Sequence, residues 1–442
     1  MPPSPTAHLK NIPLYNPEPG SVERSSWTRA YYTDPINTQT RAYREAGPVF
    51  KINHIGEEVI AMGGLEANKT AWGDNKLWDY PTSNKHFREQ FSDRYLNQLE
   101  GRVYRKKRQR VTAGFKPSML MQHTRSMSEV VVREIEKLSG DWTNLRSFCM
   151  RIIIAMTSRS LMQVDLPPGM DQTMAISNKH MLKAHTLGMW RHLWYLRPDR
   201  IYRRKKIFGY LNSILDERER NPVEQDDILS LSLNAHPKDE PPIPRQELIH
   251  DLSQLMMAGS TTTSHTILWN LVFSAITEAW NTKLLEELEG WDADSFSNMG
   301  DFPRLRASCM EIERLRPPSM YFDRLSKKPI EFQGVTIPER TWVMHIHSLG
   351  HFLPEVYDNP LSFDPDRFLR DPDLPRHDAH GLFGGGAHVC AGAPLARVLQ
   401  PVAVASILSN YQIEFKEPPD THACIDVVLA PRVPYIVRFK RR

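Results

Sequence analysis

The most strongly apolar long segment of the chain runs from Leu248 to about Glu278, and its pattern predicts one long helix. Helices of this length usually cross the centre of a domain. Its middle is polar and small: Ala258-Gly259-Ser260-Thr261-Thr262-Thr263. Mid-helix threonines bond back to carbonyls one turn earlier and bend the axis, and glycine weakens the ladder. Such a loosened turn is either a polar kink without chemistry or a place that admits a small ligand and water.

Other stretches read more simply. Residues 125–165 and 175–220 carry helical patterning, with Arg151-Ile152-Ile153-Ile154-Ala155-Met156 apolar enough to be buried. A short helix from Thr38 to Ala46 stops at Gly47-Pro48. Val49–Ile52 and Val59–Met62 predict two strands around a turn at His54–Glu58. Ile330–Pro338 and Thr341–Met344 read as a further strand pair, and two short apolar runs flank Ala430-Pro431-Arg432. Residues 220–246, with five prolines, read as a loop-rich connector. The fold class expected is mainly α with a small β region (α+β). Residues 1–40 are expected to wrap the surface, and 41–442 to form a single catalytic domain.

Composition changes this picture little. The 442 residues are 40% apolar and 24% charged, ordinary for a globular protein. A net charge of +4 gives no bulk field that points to nucleic acid. The basic residues are concentrated in Arg102–Arg110, where six of nine are Lys or Arg. That run is either a docking surface or a solvated helix face. Trp72, Trp78, Tyr80, Phe87, Phe91 and Tyr95 interleave with polar residues. They either cover an apolar cavity or pin a loop to the core. Trp194 and Tyr195 precede Tyr202-Arg203-Arg204-Lys205-Lys206, a membrane-touching stretch or core aromatics beside a wet basic face. The N-terminus lacks a signal-peptide core, and no run approaches the length of a membrane span. A cytoplasmic protein is expected.

The four cysteines, Cys149, Cys309, Cys390 and Cys424, lie far apart, so no CxxC motif or compact disulfide framework is present. Cys390 stands out by its surroundings: Phe383-Gly384-Gly385-Gly386-Ala387-His388-Val389-Cys390-Ala391-Gly392. Glycines let a backbone approach a flat ligand closely, and a helix start just beyond the cysteine favours a thiolate. A lone thiolate suits one axial bond to haem iron. A glycine-rich turn with a buried structural cysteine is the other reading of composition alone.

The order Phe-x-x-Gly-x-His-x-Cys-x-Gly resembles the haem-thiolate signature of the cytochrome P450 family. Three further motifs agree, in order, from about residue 40 to the C-terminus. Ala258–Thr263 is similar to the family's oxygen-binding helix. Thr262 takes the place of its alcohol, and Thr261 stands where the family has a carboxylate. Glu311-x-x-Arg314-x-x-Pro317-Pro318 matches the family's Glu-Arg pair, with Arg367 in Phe363–Phe368 as the partner arginine. The resemblance makes Glu311, Arg314 and Arg367 a buried structural network. Glu313 and Arg316 share the same spacing, and only the Pro-Pro that follows selects Glu311.

The resemblance implies haem b with Cys390 as its thiolate ligand, lying between the long helix and the cysteine loop. Arg108, Arg324 and His388 are the implied propionate partners. Tyr104 stands where the family carries His or Trp, Phe115 follows at the family's spacing, and Ala258 and Phe383 border the cofactor. Met320, Tyr321 and Val427 fall where substrate-lining residues are found. The activity implied is oxidation of a hydrophobic small molecule with O2, Thr262 and Thr261 serving proton delivery. Electrons would come from a ferredoxin and its ferredoxin reductase, docked on Arg102–Arg110. The missing acid at Thr261 keeps a peroxygenase, isomerase or dehydratase open as the alternative. No nucleic acid and no membrane span are expected.

Overall fold

A computed structural model describes residues 12–17, 26–74, 76–186, 191–221, 227–234, 241–294, 296, 299–374 and 379–442. The polar start at residues 1–8 and two connector prolines, Pro222 and Pro237, lie outside them. The chain separates into two compact units.

The first unit comprises residues 1–85, 310–390 and 420–432. Its sheet starts with the expected hairpin: Val49–His54 pairs antiparallel with Glu57–Gly63. Ile55 and Gly56 both take positive φ at the turn (52° and 83°), the geometry that matches the strands' right-handed twist. Glu57–Gly63 then pairs in parallel with Trp342–Ile346, which pairs antiparallel with Phe322–Leu325. Trp342–Ile346 therefore does not pair with Ile330–Phe332, as its apolar run predicts. That partner is Val335–Ile337, across a two-residue turn at Gln333-Gly334. The turn is too short to leave room for a third strand, and both of its residues have positive φ (51° and 76°).

In the N-terminal segment, Ser26–Thr33 buries Trp27 and Tyr31, whose rings stack 5.1 Å apart. Pro35–Ala46 begins three residues before the predicted helix. Asp34 caps it by accepting from the Asn37 amide, and Pro35 occupies its first turn.

Within this unit Glu311 is fully buried and held by cations. Arg314 donates from Nε and Nη2 to its two carboxylate oxygens, each at 2.8 Å, and Arg367 Nε approaches at 3.3 Å. The Asp364 amide donates to the same carboxylate at 2.9 Å. Arg314 also donates to the carbonyls of His351, Pro360 and Ser362. The rival pair separates: Glu313 lies 3.7 Å from His380, and Arg316 donates to Leu315 and Thr421 carbonyls.

The second unit comprises residues 86–309, 391–419 and 433–442 and is helical. Its axis is Arg245–Ile276, 32 residues long, packed against Leu145–Met162, Ala393–Asn410 and Met170–Thr186. A helix apolar on all sides belongs in a core. The hydroxyls it carries are accommodated by back-bonding: Ser260 to the Met257 carbonyl (2.8 Å), Ser264 to Thr261 (3.0 Å) and Thr266 to Thr263 (2.8 Å). Residues 125–165 divide into Thr124–Glu136 and Leu145–Met162. Tyr411–Phe415 and Ile436–Arg441 form the main strand pair of this unit. No helix among the described residues is long and apolar enough to cross a membrane.

Removing Arg314 leaves Glu311 buried with one guanidinium. Arg314→Ala is expected to cost about 3–5 kcal/mol, read as a lowered midpoint of urea unfolding. An unchanged midpoint would show that the pair is dispensable.

Candidate functional site

In the first unit, the glycine loop presents Cys390. Gly384 and Gly386 sit at φ of 69° and 67°, which side chains strongly disfavour, so the backbone turns sharply twice. The Cys390 amide donates to the Phe383 carbonyl at 2.9 Å and closes the loop. Cys390 is exposed, whereas Cys149 and Cys309 are buried and Cys424 is intermediate. Burial pushes the Cys149 thiol well up, so it stays protonated. Of the four cysteines only Cys390 is exposed, at the end of this closed loop.

Arg324 and His388 converge on one residue that sequence reading placed only in an aromatic run. The His388 ring stacks on Tyr80 with centroids 3.7 Å apart, and the Arg324 guanidinium lies 5.2 Å from the same ring. Phe322 covers Arg324 at 4.6 Å, and Arg324 donates to the Asp323 carbonyl at 3.1 Å. Among the described residues no carboxylate forms an ion pair with Arg324. Burial lowers its pKa below arginine's ordinary value, and its charge helps hold His347 down to about 3. Desolvating a cation is costly; the Asp323 carboxylate offsets part of that cost for Arg324, and an anionic ligand would offset more. Nothing in the sequence marks Tyr80 as the shared platform.

The proposed substrate residues also lie in this unit. Met320 is buried, and its carbonyl accepts from Ser348 Oγ at 2.9 Å. The Tyr321 hydroxyl meets those of Tyr32 (3.1 Å) and His54 Nε2 (3.4 Å). Val427 forms the tip of the hairpin Ala423–Asp426/Val428–Pro431 at φ 74°, a strained conformation for a β-branched residue. The Leu429 amide ties that hairpin to the Pro318 carbonyl.

In the second unit, Ala258 and Thr262 open one stripe on a helix that is otherwise covered. Ala258 is exposed, with Leu255, Gly259 and Thr262 partly so, amid buried neighbours. Thr262 Oγ1 donates to the Ala258 carbonyl at 3.3 Å, a long bond. Thr261 faces elsewhere. It is buried, and its hydroxyl accepts from the Asn178 amide at 2.7 Å, as Ser260 does at 2.9 Å. His265 Nδ1 donates to the Thr261 carbonyl at 2.6 Å. Asn178 lies on another helix far upstream, and sequence spacing gives no signal for it.

The basic run forms the helix Gly101–Val111. Its charges split between two environments. Lys107 and Arg110 turn inward to Glu247 and Asp251, with Lys107 Nζ–Asp251 and Arg110 Nη2–Asp251 both at 2.7 Å. Arg102, Arg105 and Lys106 remain exposed. Arg108 is partly buried and donates to the Tyr104 hydroxyl at 2.8 Å. Tyr104 is itself buried, as is Phe115. Of the six aromatic residues at 72–95, Trp78 and Tyr80 are in the core of the first unit, and Trp72 packs against it. Phe87, Phe91 and Tyr95 stack on one another in the second. They pin their segments to the core.

Comparison with known proteins follows this geometry. The family model for cytochrome P450 matches residues 27–439. A sterol 14alpha-demethylase of Mycolicibacterium vanbaalenii is 25% identical, covering 98% of this chain and 99% of that protein. A lanosterol 14-alpha demethylase of Bos taurus is 26% identical over 93% of this chain and 85% of its own. The solved structure of retinoic acid bound cyanobacterial CYP120A1 superimposes with a TM-score of 0.80 at 20% identity, covering 93% of this chain and 96% of that one. A family match spanning nearly the whole chain, with the thiol loop and the opened helix stripe in place, means that this chain belongs to the cytochrome P450 family of haem-thiolate monooxygenases.

Proposed function

We propose that the protein oxidises a hydrophobic small molecule using O2 and electrons from a ferredoxin and ferredoxin reductase, in the cytoplasm, with haem b held by Cys390. The observation that carries this reading is an exposed thiol, Cys390, in the same unit as Arg324, a half-buried cation with no ion pair to a carboxylate among the described residues. That donor set suits an iron porphyrin: a soft axial ligand for the metal and cations for two carboxylates. Arg324, His388 and Arg108 are the proposed partners of those carboxylates. Tyr104 acts through Arg108, whose guanidinium its hydroxyl anchors. Ala258 and Phe383 would border the cofactor. When bound, the thiolate-ligated haem supplies dioxygen cleavage and oxidation of the substrate.

The chain's own residues position reactants and move protons. The weak tether of Thr262 to Ala258 leaves its hydroxyl ready to donate into the open stripe. Thr261 offers no carboxylate. Its hydroxyl, already accepting from Asn178, can still donate its own proton, so Thr261 and Asn178 would take part in proton delivery only as a relay behind Thr262. Met320, Tyr321 and Val427 would meet the substrate. The names of the relatives, sterol demethylases and a retinoic acid binder, support an apolar substrate of middling size. Arg102, Arg105 and Lys106 are the exposed cations suited to an acidic ferredoxin.

The reduced protein under carbon monoxide is expected to show the far-red-shifted Soret band of thiolate ligation, and Cys390→Ser to abolish it. Product formed from peroxide alone, and none with ferredoxin, would replace the electron-dependent reading. Thr262→Ala is expected to lower product per electron consumed. Equal coupling in variant and wild type would remove Thr262 from proton delivery. Arg105→Glu with Lys106→Glu is expected to slow reduction by ferredoxin, with the gap narrowing as salt screens the surface. Identical rates at low salt would move the docking site elsewhere.

A further inference from the structure

The four glycines between Gly381 and Cys390 exist for two different reasons. Gly384 and Gly386 serve the backbone, through their positive φ. Gly385 does not: its φ of −154° is open to any residue. What forbids a side chain there is one indole. A Cβ at Gly385 would fall 2.5 Å from Trp72 Cγ and Cδ2. A Cβ at Gly381 would fall 2.5 Å from Cη2 at the other end of the same ring. The ring therefore lies along the loop, from four residues past its start back to its first glycine.

Trp72 is itself held fast. It rides on the helix Leu65–Gly73 and meets His345 edge-on at 5.8 Å. Asn68, one turn earlier, anchors that helix: its Nδ2 donates to the His347 carbonyl at 3.1 Å, and its Oδ1 accepts from His345 Nε2 at 2.7 Å. Ala71 accepts from Trp78 Nε1 at 2.9 Å. The loop thus closes on a surface that cannot retreat. Tyr80, stacked on His388, grips it a second time two residues before the thiol.

We propose that Trp72 is a positioning residue for the Cys390 ligand. Its indole is the template on which Gly381–Gly385 is moulded, and it determines where the thiol is presented. The role rests on Cys390 being the haem ligand, but it concerns a contact that the motif does not include. A template of this kind keeps the sulfur at bonding distance and resists its replacement by a neutral ligand.

A size exchange tests it. Gly385→Ala is expected to lose the far-red-shifted carbon monoxide band in favour of the unshifted one. Trp72→Ala combined with Gly385→Ala is expected to recover the shifted band, because the added methyl then has space. Trp72→Phe is expected to keep it, and Trp72→Ala alone to convert faster to the unshifted form in mild denaturant. Far-UV circular dichroism checks that each chain is folded. A folded Gly385→Ala protein with the full shifted band, or a folded double variant no better than Gly385→Ala, would overturn the proposal. A wild-type protein without the shifted band would instead sink the haem-thiolate reading. In that case the full chain carrying Cys424→Ser is treated with an aromatic disulfide. Trp72→Ala is expected to change the rate at which Cys390 reacts, and an unchanged rate overturns the template role by itself.

Discussion

A carboxylate taken out of water must be given back nearly all the interactions it has lost, and Glu311 meets that demand by drawing distant segments together. Arg314 comes from its own helix, the Asp364 amide and Arg367, at the start of the short helix Arg367–Arg370, from 53 and 56 residues on. Arg314 in turn spends its remaining hydrogens on carbonyls between His351 and Ser362. Long irregular backbone, which would otherwise leave its carbonyls unsatisfied, is thereby tied to one charged centre. The loop carrying Cys390 follows directly in the chain and belongs to the same unit.

The second unit solves the opposite problem: how to keep polar groups in a helix that must be buried. Back-bonded hydroxyls satisfy the helix from within, so Ser260, Ser264 and Thr266 bring no desolvation penalty. Thr261 adds a bond from Asn178, whereas the half-buried Thr262 makes only a long bond to the Ala258 carbonyl. Position along one helical turn thus separates a structural hydroxyl from an available one.

Motif-level features were legible in the sequence because they depend on local order. The long helix and the first hairpin lie where the pattern puts them, and the glycine loop and the Glu-x-x-Arg spacing stand out as motifs, since local order along the chain sets their geometry. What failed to show depends on contacts between remote segments. Trp342–Ile346 looked like the partner of its neighbour because its apolar run carries no record of Glu57–Gly63. Tyr80 and Trp72 showed only as members of an aromatic run, and Asn178 not at all, since a ring or amide acquires its role only from what folds against it. The basic run divides in a way that charge counts do not register: Lys107 is buried in an ion network, whereas Lys106 is exposed.

The parallel pairing of Ile60 with Val343 has a consequence for synthesis on the ribosome. The opening hairpin emerges early, but the strand that covers its edge is made some 280 residues later. At about 5–20 residues per second the wait is on the order of tens of seconds. Throughout it, Glu57–Gly63 offers unpaired amides and carbonyls, with Ile60 and Met62 uncovered, to any other extended chain. The nascent edge is therefore a point at which chaperone shielding, elongation rate and growth temperature would act on the chain before it is finished.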